Sequence, residues 1–198
     1  AQSGDALVTY GKNGDAKVYY RSWNGTSWGS AVTLTTKTGQ DLTDISVAYE
    51  QESGHAMVVY AKDQTEVHYR LWNGSSWSGE GTIAAPSGPA GKARWTMLAA
   101  DPNSDRIALG VLTESKDAYF AVWDGAAWNP ADKLSATLNA NDRNYPNIAV
   151  AFESQSGQAL ATYNIDDTIV RYRTWTATGG WSSERTGPDL GDKPTSMT

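Results

Sequence analysis

A short aromatic segment recurs four times at nearly constant spacing, and a chain built that way has few folds open to it. It reads Trp23-Asn-Gly-Thr-Ser-Trp28, Trp72-Asn-Gly-Ser-Ser-Trp77, Trp123-Asp-Gly-Ala-Ala-Trp128 and, one residue longer, Trp175-Thr-Ala-Thr-Gly-Gly-Trp181. Eight of the nine tryptophans lie in these pairs, whose first members are 49, 51 and 52 residues apart. Asn-Gly and Asp-Gly provide the backbone freedom of a tight hairpin, so each copy is expected to be a β-turn flanked by two indoles.

The repeat extends well beyond the turn. Ser3-Gly-Asp-Ala-Leu-Val-Thr-Tyr10 matches Ser53 to Tyr60 and Ser156 to Tyr163, with Ser104 to Val111 as a diverged copy. Each begins as a turn and continues as an apolar, β-prone run. A second run leads into each Trp turn and carries Tyr20, Tyr69, Phe120 and Tyr172 in register, followed directly by Arg21, Arg70, Ala121 and Arg173. Neighbours in a strand point to opposite faces, so the aromatic and the arginine face different ways. A polar strand follows the turn, and an apolar one such as Ile45 to Tyr49 or Ile148 to Phe152 precedes the Ser-Gly turn.

Four antiparallel strands in about 50 residues is the unit of a β-propeller blade. The expected fold is therefore all-β: a single four-bladed β-propeller spanning 1–198, with blades near 1–42, 43–92, 93–143 and 144–190 and a closing strand at 191–198. The 19 glycines and 10 tyrosines suit twisted strands better than helices. The first blade has no inner strand of its own. Pro194, Thr195, Ser196, Met197 and Thr198 align with the start of one, and are expected to complete blade one. They do so either in the same chain, which removes an exposed edge, or in a neighbouring subunit, which builds a head-to-tail filament.

The Trp hairpins stand where the Asp-box hairpins stand in sialidase-like blades, and the repeat resembles those of extracellular propellers, including lectins for fucose or N-acetylglucosamine and bacterial and archaeal surface proteins. Of the Asp-box pattern, Trp23-Asn24-Gly25-Thr26 and its sister copies keep only the Gly and the final Trp. The arginines recur once per blade rather than converging as a sialidase triad, and no catalytic constellation is present. The resemblance implies a non-enzymatic extracellular or cell-surface module, structural or adhesive, that works through self-assembly or protein contacts. Its alternative is a multivalent lectin.

In the lectin reading Arg21, Trp23 and Trp28 form one glycan site, Arg70, Trp72 and Trp77 a second, Arg173, Trp175 and Trp181 a third, and Trp123 with Trp128 a defective one beside Ala121. Stacked indoles would meet sugar faces and guanidinium groups sugar hydroxyls. In the structural reading the indole pairs wedge neighbouring blades together. Asn24 and Asn73 begin N-x-Ser/Thr sequons in exposed turns and are candidate glycosylation sites.

No metal or cofactor is expected. His55 and His68, the only histidines, fit no ligand or triad pattern, and Asp101, Asn103 and Asp105 open like a calcium loop that Arg106 and Leu112 then fail to complete. Asp166 and Asp167 decorate a turn. A net charge of -6 argues against nucleic acid, and no apolar stretch is long enough to insert in a bilayer.

Overall fold

The computed structural model describes residues 4–37, 45–62, 66–87, 91–130, 132–134, 146–165, 167–194 and 196–197. Its strands form four antiparallel sheets, each drawn from one consecutive stretch of chain. The first holds β1 (Ala6–Gly11), β2 (Lys17–Trp23) and β3 (Val32–Thr36). The second holds β4 (Ile45–Tyr49), β5 (Ala56–Ala61), β6 (Val67–Trp72) and β7 (Gly81–Ile83). The third holds β8 (Ala93–Ala100), β9 (Ile107–Thr113), β10 (Ala118–Trp123) and β11 (Asp132–Leu134). In the fourth, β12 (Ile148–Phe152), β13 (Ala159–Asn164) and β14 (Ile169–Thr176) are followed by β15 (Gly180–Trp181) and β16 (Arg185–Asp189), which both pair with β14.

Strand order within each sheet follows chain order, as hairpin connections require. The sheets stack face to face, and alternation along the strands assigns each side chain to one neighbour. Met57, Val59 and Ala61 of β5 join Ile107, Leu109 and Val111 of β9 in one apolar cluster, while Val58 and Tyr60 join Val18 and Leu34 of the first sheet. Leu112, Ala118 and Phe120 pack with Ile148, Ala161 and Tyr163 of the fourth. Strands β5, β9 and β10 are buried along their whole length because both faces are covered.

Among the described residues, apolar clusters join sheet one to two, two to three and three to four, and none joins four to one. The expected closed ring is therefore not formed: the sheets make an open arc. The expected closing strand also lies elsewhere. The Met197 amide donates to the Pro146 carbonyl at 2.8 Å, beside the start of β12, so the tail returns to the fourth sheet rather than to β1. The reason is geometric, since a chain end cannot reach the first sheet across an unclosed arc. Thr195 and Thr198 lie outside the described residues.

The strands that begin the last three sheets line the concave side of the arc. Strand β4 lies against β8 and β8 against β12, and the Ser46 hydroxyl donates to the Thr96 carbonyl at 2.5 Å. Ile45, Val47, Trp95, Met97, Leu98 and Pro146 make this trough mostly apolar.

Candidate functional site

The Trp turns owe their shape to one side-chain oxygen and one glycine. Asn24 Oδ1 accepts the amides of Thr26 (3.0 Å) and Ser27 (2.9 Å), and Asn73 Oδ1 those of Ser75 (3.0 Å) and Ser76 (2.9 Å). Asp124 does the same for Ala126 and Ala127, and these amides, Ala127 first, hold its carboxyl below the usual value. The next residue must then turn with positive φ, which is 92° at Gly25, 94° at Gly74 and 100° at Gly125. In the fourth copy Thr176 Oγ1 takes over, accepting the Gly179 amide at 3.0 Å. The turn thereby brings its two tryptophans opposite each other, with ring centroids 5.5 Å apart for Trp23 and Trp28, 5.2 Å for Trp72 and Trp77, and 5.7 Å for Trp123 and Trp128. Both sequon asparagines are exposed.

The tryptophans of the last three turns grip the sheet before them. Tyr20 packs on Trp72 (6.0 Å) and edge-on to Trp77 (5.0 Å). Tyr69 packs on Trp123 (5.7 Å) and Trp128 (5.9 Å), and Phe120 on Trp181 (5.9 Å). The indole N–H groups of Trp77 and Trp128 are buried with no hydrogen-bond partner among the described residues. A ligand that needed those donors could not reach them, so these two side chains serve packing.

The first tryptophans of the pairs are placed unequally. Trp123 and Trp175 are 3% and 4% exposed. Trp123 Nε1 donates to Glu50 Oε1 of the second sheet at 2.5 Å, and Glu50, itself buried, also accepts the Ser53 hydroxyl at 2.6 Å and lies 3.3 Å from His55 Nδ1. Trp23 and Trp72 instead line an open cleft of about 250 Å³ between the first two sheets. Asp5, Ser22, Asn24, Tyr49, Ser53 and Asn73 complete its polar wall. Burial raises the Tyr49 phenol above its ordinary value, against the effect of a hydrogen bond from the Leu7 backbone and with the aid of the Asp5 charge. The cleft lies just under the ~300 Å³ at which small-molecule pockets usually begin, a size that admits one compact ring. Donors, acceptors and an indole around such a volume suit an uncharged polyhydroxyl ligand with an apolar face.

The arginines do not join this cleft. Arg21 is exposed. Arg70 lies beside Tyr60 and acts to lower its phenol, and Arg173 pairs with Asp132 of the third sheet at 2.8 Å and acts likewise on Tyr163. They belong to polar clusters that carry matching acids: Glu80 accepts the Tyr60 hydroxyl at 2.8 Å and Lys62 Nζ at 2.5 Å, and Glu184 accepts the Tyr163 hydroxyl. Burial and then the acid raise both phenols. Desolvation acts to raise Glu80, but the bonds from Lys62 and Tyr60 outweigh it and leave its carboxyl below the ordinary value. Ala121 is fully buried, so the third sheet has no counterpart at that position.

Of the other singled-out residues, His68 is 9% exposed, stacks on Tyr60 with centroids 6.2 Å apart and sits 3.4 Å from Glu80. Asp101 caps its own turn through the Asn103 amide (3.0 Å) and Ser104 hydroxyl (2.7 Å). Asp105 reaches across to the second sheet and accepts the amides of Glu52 (2.7 Å) and Ser53 (2.9 Å). Asp167 holds the Ile169 amide and Arg171, while Asp166 lies outside the described residues. Among the described residues no group of three or more His, Asp or Glu could hold a metal. Glu50, Tyr49, Asp5 and Glu80 were not picked out by the sequence reading. A recurring signal existed for the first, in the acid three residues before a serine at Glu50/Ser53, Asp101/Ser104 and Glu153/Ser156.

No family model matches the sequence, and no curated protein matches it. Solved structures do. A variant of the Aleuria aurantia lectin in complex with alpha-methyl-L-fucoside superposes with a TM-score of 0.59 at 17% identity, over 96% of this chain and 58% of the lectin. AofleA of Arthrobotrys oligospora gives 0.60 at 14% identity, over 93% of this chain and 53% of its own. The NanB sialidase of Streptococcus pneumoniae gives 0.55 at 10% identity, over 83% of this chain and 27% of the enzyme. The chain thus spans less than two thirds of each of these proteins. A further structure of the Aleuria lectin, 16% identical and with a TM-score of 0.55, is described as a six-bladed β-propeller, which agrees with an arc of four sheets left open. At such identities the likeness bears on fold alone, and the fold is that of a β-propeller.

Proposed function

We propose that this chain is a non-enzymatic carbohydrate-binding β-propeller module that acts outside the cell. The cleft between the first two sheets carries the reading: Trp72 offers an apolar face, and Asp5, Asn24, Tyr49, Ser53 and Asn73 offer hydrogen bonds around a volume of about 250 Å³. The lectins of like fold support it. The expected ligand is a single pyranose ring, held weakly by the one formed cleft, so strong retention requires several modules on one surface.

The test is a titration with alpha-methyl-L-fucoside followed by tryptophan fluorescence, beside a screen on a glycan array. Saturable binding is expected, weakened at least tenfold in Trp72→Ala. Trp72 also supports Tyr20, so Asp5→Ala, at an exposed position, supplies the second variant and is expected to weaken binding without changing the unfolding midpoint. No binding of any arrayed glycan, and none at millimolar fucoside, would remove the proposal.

A further inference from the structure

The internal junctions of the arc share an aromatic clamp and a common register of apolar side chains, and its two outer sheet faces carry the two unmatched halves of that arrangement. In register, Val8 opposite Arg21 corresponds to Val58 opposite Arg70 and to Leu109 opposite Ala121. Val58 and Leu109 face the preceding sheet and are 0% exposed; Val8 is 41% exposed. On the other side, Leu160 opposite Thr174 corresponds to Met57 opposite Leu71 and to Ala108 opposite Val122. Met57 and Ala108 face the following sheet and are 0% exposed; Leu160 is 36% exposed.

The aromatic clamp is split in the same manner. Tyr20, Tyr69 and Phe120 each meet a tryptophan of the next sheet. Tyr172 makes no ring contact among the described residues, and the Trp23–Trp28 pair meets no ring of another sheet there, leaving Trp28 48% exposed. A third element follows. Glu153 bonds its turn through the Gln158 carbonyl as Glu50 does through that of His55, and where Glu50 receives the Trp123 indole N–H, Glu153 is exposed.

We propose that the outer face of the fourth sheet binds the outer face of the first sheet of a second copy of this chain, head to tail. Tyr172 enters the Trp23–Trp28 pair of the neighbour, Leu160 covers the apolar wall around Val8, and Glu153 accepts the Trp23 indole N–H. The second copy is the occupant because the two faces carry, at the clamp rings and at the registers of Val8 and Leu160, the two halves of a contact the chain already makes internally. The interface is heterologous, so each association leaves one face of each kind available for the next copy. It does not depend on sugar binding, and its test uses none.

Sedimentation equilibrium of the 198-residue chain over a wide concentration range reads the association directly. The weight-average mass is expected to rise with concentration from 21.3 kDa. Tyr172→Ser and Trp28→Ser each remove one half of the clamp, and each is expected to raise the concentration needed for assembly at least tenfold. Trp28 is half exposed, so that variant is expected to fold, as circular dichroism would check. An equimolar mixture of the two variants retains one intact clamp and is expected to stop at a pair. A wild-type chain that stays at one copy up to the highest concentration, or variants that assemble as readily as wild type, overturns the proposal.

Discussion

Removing the ring of Tyr69 and removing the ring of Tyr172 are the same chemical change at the same register of two sheets, and the difference between them isolates the clamp. Within their own sheets the two side chains are similarly placed. Tyr69 lies opposite Val59 and over Gly81, and Tyr172 lies opposite Thr162 and near Gly187. Only Tyr69 also packs against two indoles of the following sheet, at 5.7 and 5.9 Å. Each aromatic pair contributes about 0.5–1.5 kcal/mol beyond area burial, so the two together amount to roughly 1–3 kcal/mol. Tyr69→Ala should be more destabilising than Tyr172→Ala by that amount. With a urea dependence of about 2 kcal/mol per molar, the midpoints should differ by roughly 0.5–1.5 M. Tryptophan fluorescence follows the transition, since Trp123 and Trp128 report the junction itself. The measurement belongs at low protein concentration, where Tyr172 meets no second copy. Equal midpoints for the two variants would show that the sheets are held by burial of aliphatic side chains and that the aromatic contacts add nothing.

Two further outcomes follow from side chains already described. A Cβ at position 81 would lie 2.3 Å from the Tyr69 ring, whereas one at position 79 would meet nothing within 4 Å; Gly81→Ala should therefore cost about 1–3 kcal/mol and Gly79→Ala less than about 0.5 kcal/mol, as thermal or urea unfolding would show. Burial lowers the His68 pKa from its ordinary 6.5, despite the nearby Glu80 charge. The folded state thus favours the neutral ring, and the stability it contributes is present above pH 6.5 and lost as the pH falls below that value. Depressed Glu80 adds a second loss below its ordinary 4.5. A pH series of midpoints should show the upper step in the wild type and not in His68→Gln, and an identical profile in both would exclude His68 as its source.

Much of the local structure was legible from residue order, because it depends on neighbours in sequence. The Asn-Gly and Asp-Gly turns, the alternation of Tyr69 and Arg70 to opposite faces, and the four-strand unit all follow from spacing. The curvature of the arc does not, since it depends on how far aromatic wedges hold adjacent sheets apart. An expectation of four closed blades therefore gave way to four sheets in an open arc. Long-range polar contacts were equally hidden: Glu50 reaches Trp123 across 73 residues of chain, and nothing near either residue announces the other. The arginines were expected beside the tryptophans because an i, i+2 pair shares a strand face. What directs Arg70 and Arg173 instead is a tyrosine on the paired strand and acids elsewhere, Glu80 near Tyr60 and Asp132 of the third sheet against Arg173. Asp105, which ties the third sheet to the second, occupies a position held by glycine in three other copies, so its role could not be found by looking for what repeats.

The aromatic clamp has a consequence for how such a chain changes length. Each repeat carries a plug, the ring of its Tyr or Phe, and a socket, its own pair of indoles, and the two point in opposite directions along the array. Duplicating or deleting one unit of about 50 residues adds or removes one plug and one socket together and leaves every remaining junction matched. The contact therefore specifies the order of sheets and not their number. Ring size is left to the wedge angle, which can drift by small substitutions at the aromatic positions while the junction stays intact.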